Sequence, residues 1–160
     1  MFESLLRQFR SIIDDIAPSP AMLAQREQSA LQSACCGLLM EVARLDEEGA
    51  GQKREAASRA MQELFGLAAE ELVPMIENAG RRENRLVSYY RPVALLNKNC
   101  SPQRKAQFIE CLWRVAMADG KIDMYEDQLV RKLADLLYVA HNDFILARHR
   151  VQNAAGAALK

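Results

Sequence analysis

Phe2, Leu5, Leu6, Phe9, Ile12, Ile13 and Ile16 recur at steps of three and four from the start of the chain. This spacing predicts an N-terminal amphipathic helix over residues 1–17 with one continuous apolar stripe. Pro18 and Pro20 follow, in the run Ala-Pro-Ser-Pro-Ala. Proline lacks the amide a helix interior uses, so residues 18–26 read as a linker. The period of 3.6 then resumes. Leu31, Cys35, Leu38, Leu39, Val42 and Leu45 mark a helix over 27–45, ended by Asp46-Glu47-Glu48-Gly49-Ala50-Gly51. Further helices are predicted over 52–65, 69–79 (with Pro74 inside), 84–97 (with Pro92 inside), 102–118, 124–137 and 141–150. Ser101-Pro102 is a strong helix start, because serine caps the free amides and proline suits the first helical position. No useful stretch alternates with period two. The expectation is an all-α compact bundle of about seven to eight helices, with a main domain over 27–151 and a flexible tail over 152–160.

One unit occurs twice. Leu39, Val42, Ala43 and Asp46 recur as Leu112, Val115, Ala116 and Asp119, an offset of 73 (39 to 112, 46 to 119). Beyond the turn the offset is 72, with Leu64, Phe65, Gly66, Leu67 and Ala68 over Leu136, Leu137, Tyr138, Val139 and Ala140. The pattern is a helix–acidic turn–helix duplication. Two such helix pairs can bury both apolar faces about a pseudo-twofold axis.

The sharpest chemistry lies in the second turn, Asp119-Gly120-Lys121-Ile122-Asp123-Met124-Tyr125-Glu126. Two readings stand. Asp123 as N-cap with Glu126 three residues later forms a capping-box pattern, and both carboxylates suit the positive end of a helix. Alternatively, carboxylates gathered at a corner repel one another, which a hard cation such as Ca²⁺ or Mg²⁺ relieves through oxygen ligands. The segment lacks the ladder of an EF-hand.

Composition removes several classes. Lysine and arginine number 21 and aspartate and glutamate 21, so no global charge draws the chain to nucleic acid or anionic membrane. Cys35, Cys36, Cys100 and Cys111 show no Cys-x-x-Cys spacing and read as small buried residues of a reducing compartment. The N-terminal helix carries Glu3, Arg7, Arg10, Asp14 and Asp15, which is unlike a signal peptide, and no run is long enough to span a bilayer. The expected location is the cytoplasm. His141 and His149 have no catalytic partner in sequence, and no phosphate loop, dinucleotide loop or nucleophile elbow is present. A catalytic role is therefore not expected. Arg81-Arg82 and Arg148-His149-Arg150 read as solvated basic patches, and Trp113 as a core or anchoring residue.

With these residues in hand, the chain resembles the TerB tellurite-resistance family, which also includes the N-terminal domain of a membrane-anchored DnaJ-type co-chaperone. The resemblance covers residues 31–151. It is strongest over Leu112-Trp113-Arg114-Val115-Ala116-Met117-Ala118-Asp119-Gly120-Lys121-Ile122-Asp123, continuing through Glu126 to Phe144. It implies a helical bundle with an acidic metal-binding face and a link to tellurite, oxidative and phage stress. By position, the ligands it implies are Asp119, Asp123 and Glu126, with Asp46 and Glu55 as their counterparts in the first copy. The first copy departs from the family pattern: Leu45-Asp46-Glu47-Glu48-Gly49-Ala50-Gly51 replaces the regular Ala-Asp-Gly-x-Ile-Asp. The other function class kept open is a metal-free protein–protein interaction or co-chaperone-like adaptor module.

The stripe Phe2, Leu5, Leu6, Phe9, Ile12, Ile13 and Ile16 lies outside the duplication. Burying it is worth on the order of ten kcal/mol before entropy, so it calls for a protein surface: its own domain or a second copy in a homodimer. Its polar face is too poor in cations for direct membrane binding.

Overall fold

The computed structural model describes residues 1–16 and 18–158, without the side chains at 13–16 and 157–158. Among the described residues the chain is all-α, with eight helices, a 3-10 turn and no strand. In chain order these are α1 (Phe2–Ile16), α2 (Pro20–Arg44), α3 (Ala50–Phe65), α4 (Ala69–Gly80), the 3-10 turn (Arg82–Asn84), α5 (Tyr90–Asn99), α6 (Pro102–Ala116), α7 (Met124–Leu136) and α8 (His141–Ala158). No helix among the described residues is long and apolar enough to cross a membrane. Two compact units divide the chain, residues 1–30 and 31–160, and α2 contributes to both.

In the first unit, Phe2, Leu5, Leu6, Phe9 and Ile12 of α1 are all exposed. The side chains of Ile13 and Ile16 lie outside the described residues. Helix α2 begins at Pro20, inside the stretch that reads as a linker. The cause is local: Ser19 Oγ accepts from the amide of Met22 at 3.2 Å, and Pro20 follows. Ser19-Pro20 is thus the same start signal as Ser101-Pro102, where Ser101 caps the amide of Arg104.

In the second unit, α6 is the central element, with α3, α7 and α8 packed on it. An amphipathic helix covered on one side buries residues at steps of three and four. Helix α6 instead buries the runs Phe108-Ile109, Cys111-Leu112-Trp113 and Val115-Ala116, because neighbours cover it on several sides. Trp113 is fully buried, with its ring centroid 5.5 Å from that of Phe144 and the Arg148 guanidinium 5.1 Å away. Leu38, Leu39 and Val42 of α2, Met61 of α3, Leu72 of α4, Leu96 of α5 and Val130 and Leu133 of α7 complete the core. Truncating a residue such as Leu112 to alanine in this packing costs about 3 kcal/mol.

The prolines set two boundaries. Pro92 falls in the first turn of α5, where its missing amide has no helical acceptor to lose, so α5 starts at Tyr90 rather than near 84. The preceding segment is tied down by Glu41, a buried carboxylate of α2. It pairs with Arg44 at 2.7 Å and accepts from the amide of Leu86 at 2.9 Å. Pro74 is accommodated within α4. Helix α8 continues to Ala158, through most of the stretch that reads as a tail.

Candidate functional site

The two acidic turns carry the same local device. Asp46 follows α2 and accepts from the amide of Glu48 through Oδ1 at 3.0 Å; Asp119 follows α6 and accepts from the amide of Lys121 through Oδ1 at 3.1 Å. Each aspartate spends one oxygen on its own turn, the usual way a short acid stabilises a reversal. The other oxygen stays available.

The turns also touch. Gly49 has φ 72, and a Cβ built on it would lie 2.5 Å from the Cβ of Asp119. Only a residue without a side chain permits this approach, and only glycine takes that backbone region cheaply. Gly120 has φ 84 but open space around it, so it serves the reversal alone.

Beyond the second turn, the capping box is present. Asp123 Oδ1 accepts from the amide of Glu126 at 2.8 Å, and Glu126 Oε2 accepts from the amide of Asp123 at 3.4 Å. Glu126 is fully buried. Its second oxygen, Oε1, accepts a hydrogen bond from Lys53 Nζ. Lys53 is fully buried too. Its ammonium lies 3.6 Å from Asp46 Oδ2 and 3.8 Å from Asp119 Oδ2. The free oxygens of both turns thus converge on one cation supplied by α3.

Burial alone would lower the pKa of Lys53, but the hydrogen bond to Glu126 and the charges of Glu126, Asp119 and Asp46 outweigh it and hold the amine charged above its ordinary range. Glu126 is pushed upward by burial, which exceeds the opposing pull of Lys53. A group taken from water in this way is tolerable only when paired.

The residues implied as ligands are placed as follows. Asp46, Asp123 and Glu126 each offer an oxygen within 4.8 Å of the others. Asp119 joins them through Lys53. Glu55 does not: it is exposed on α3 and pairs with Arg59 one turn on. Lys53 was not among the residues singled out from the sequence. No local spacing marks it, because its partner Glu126 lies 73 positions away. An oxygen-liganded divalent ion does not fit this corner as it stands, because the ammonium holds the buried carboxylate that such an ion would need.

Elsewhere the chemistry is quiet. Cys35, Cys36, Cys100 and Cys111 are unbridged. Burial pushes the thiols of Cys36 and Cys111 up to about 11 and about 12, and those of Cys35 and Cys100 up as well, which makes poor nucleophiles. His141 and His149 are exposed on α8.

A helical unit in which two acidic turns meet across a buried core is the class this geometry defines. The family model described as Tellurite resistance protein TerB matches residues 32–149, and the chain belongs to that family. The match begins one residue inside the second compact unit. No curated protein and no solved structure matches the chain.

Proposed function

We propose that the chain is a non-catalytic TerB-family module of a tellurite-type stress response, working in the cytoplasm through protein contacts. The observation that carries this reading is the exposed apolar face of α1. Phe2, Leu5, Leu6, Phe9 and Ile12 lie on one side of the helix, and Phe2 is 80 % exposed. An apolar stripe of this length on a soluble chain marks a surface for another protein. The charges on α1, Glu3, Arg7 and Arg10, followed by Asp14 and Asp15, give no basic face for lipid. A homodimer through α1 is the simplest form, since one stripe can serve two copies.

Light scattering on the full chain and on its Leu5→Glu/Phe9→Glu variant tests the contact. A dimer or larger species that the variant reduces to monomer supports it. A wild-type monomer, together with no effect of the variant on tellurite resistance in a host dependent on this chain, removes the role of α1.

The divalent-cation reading has one observation in its favour: the oxygens of Asp46, Asp123 and Glu126 lie within 4.8 Å of one another. Lys53 stands against it.

A further inference from the structure

Lys53 and Glu126 lie 73 positions apart, the offset that relates Asp46 to Asp119. Seven residues after Asp46 the chain carries an ammonium, and seven residues after Asp119 a carboxylate. A carboxylate at both points would place two buried acids against Asp46, Asp119 and Asp123, an arrangement that demands an external cation. Here the chain supplies the cation itself. The Lys53 ammonium is fully buried, bonds Glu126 Oε1, and faces Asp46 Oδ2 at 3.6 Å and Asp119 Oδ2 at 3.8 Å. Its position is set by its own helix: the Lys53 amide bonds the Gly49 carbonyl at 2.9 Å, in the first turn of α3, four residues beyond the close approach to Asp119.

We propose that Lys53 is a tethered occupant of the cation seat between the two acidic turns, so that this domain is closed permanently and is not gated by a divalent ion. The seat itself is intact beneath the lysine. Removing the ammonium frees Glu126 and the outer oxygens of Asp46 and Asp119, beside Asp123, for a hard cation. Lys53→Glu therefore creates a divalent site built from both turns. The inference does not rest on the α1 reading, and its test does not involve oligomeric state.

Calcium, magnesium and manganese chlorides are titrated into the full-length protein, followed by calorimetry, manganese electron paramagnetic resonance and thermal melting. The wild type shows no saturable binding at millimolar ion and no rise in Tm. Lys53→Glu binds Ca²⁺ or Mn²⁺ saturably, at least about tenfold tighter than any wild-type response, and its Tm rises with the ion. Lys53→Gln, which removes the charge at similar length, behaves in the same direction and serves if the glutamate variant does not fold without ion. Saturable wild-type binding that Glu126→Gln abolishes overturns the proposal, because the lysine then does not fill the seat. Folded Lys53→Glu and Lys53→Gln proteins that bind no ion overturn it equally. If circular dichroism finds both variants unfolded even with ion present, the wild-type titration alone decides, by the same criterion.

Discussion

The turn after α2 and the turn after the central helix α6 begin alike and end differently. Both open with an aspartate that bonds the amide two residues on, and both contain a glycine at positive φ. The second then starts its helix with a side-chain cap, Asp123, and reciprocal support from Glu126. The first starts its helix at Gly49 with no side-chain cap, and relies on backbone and on contact with the other turn. Electrostatics divides them further, because the buried charge that follows the first turn is the Lys53 ammonium and the one that follows the second is the Glu126 carboxylate. Equal residues at those points would repel; opposite ones attract. The difference teaches that two similar acidic turns can be held together by opposite charges buried behind them, and that the turn without a side-chain cap is the one that leads to the cation.

The largest test of this comparison is Lys53→Met. It leaves Glu126 buried without its cation and is expected to cost about 3–5 kcal/mol in urea unfolding. The double variant Lys53→Met/Glu126→Leu is expected to lose clearly less, because an apolar pair leaves no stranded charge, although the reciprocal cap on α7 goes with it. A single variant within about 1 kcal/mol of wild type would show that the pair does not hold the turns.

Next come the glycines. Gly120→Ala carries only the backbone penalty of its φ 84, about 1–2 kcal/mol, since nothing lies near its new Cβ. Gly49→Ala carries a similar backbone penalty at φ 72 and also drives a methyl group into Asp119. It is expected to be the more destabilising by about 1 kcal/mol or more. Equal melting temperatures for the two variants would mean that the second turn yields freely, against a rigid contact.

The cap is a smaller matter. Asp123→Ala removes an N-cap and is expected to cost about 1 kcal/mol, read as a shift in urea midpoint at unchanged slope. No substitution in the first turn has an equivalent cap to lose.

Smallest is the far end of each helix pair. Gly66 has φ 64 and Tyr138 has φ 57, at positions the offset of 72 places together. Tyr138 is a left-handed residue that keeps its Cβ and is 83 % exposed, so little packing depends on it. Tyr138→Gly is expected to gain about 0.5 kcal/mol, the relief of backbone strain less the added freedom of the unfolded chain. Gly66→Ala is expected to lose about 1 kcal/mol. A loss on Tyr138→Gly would mean that the ring makes a contact worth more than the strain.

Much of the candidate site was legible in the sequence for a local reason. Asp46, Asp119, Asp123 and Glu126 declare themselves through turn and cap spacing, which depends on residues within four positions of one another. The capping reading of Asp123 and Glu126 describes what their backbone contacts do. Glu55, implied as a first-copy counterpart, is a different matter, because it is exposed and paired with Arg59 while Lys53 of the same helix enters the corner. Glu41 was invisible for a further reason. It occupies an ordinary helical position beside Arg44, and only the arrival of the chain at Leu86, 45 residues later, turns it into a buried anchor.

By itself the sequence determined the all-α class, the positions of both acidic turns, the strong start at Ser101-Pro102 and the apolar stripe of α1, since each follows from spacing along a single helix or turn. Only the tertiary structure decided what the acidic turns contain. Lys53 and Glu126 meet because α3 and α7 both pack on α6 and because a glycine lets the two turns touch. Opposite charges 73 residues apart carry no local signal of their contact; the closure of the core brings them together, and their burial then makes the pairing obligatory.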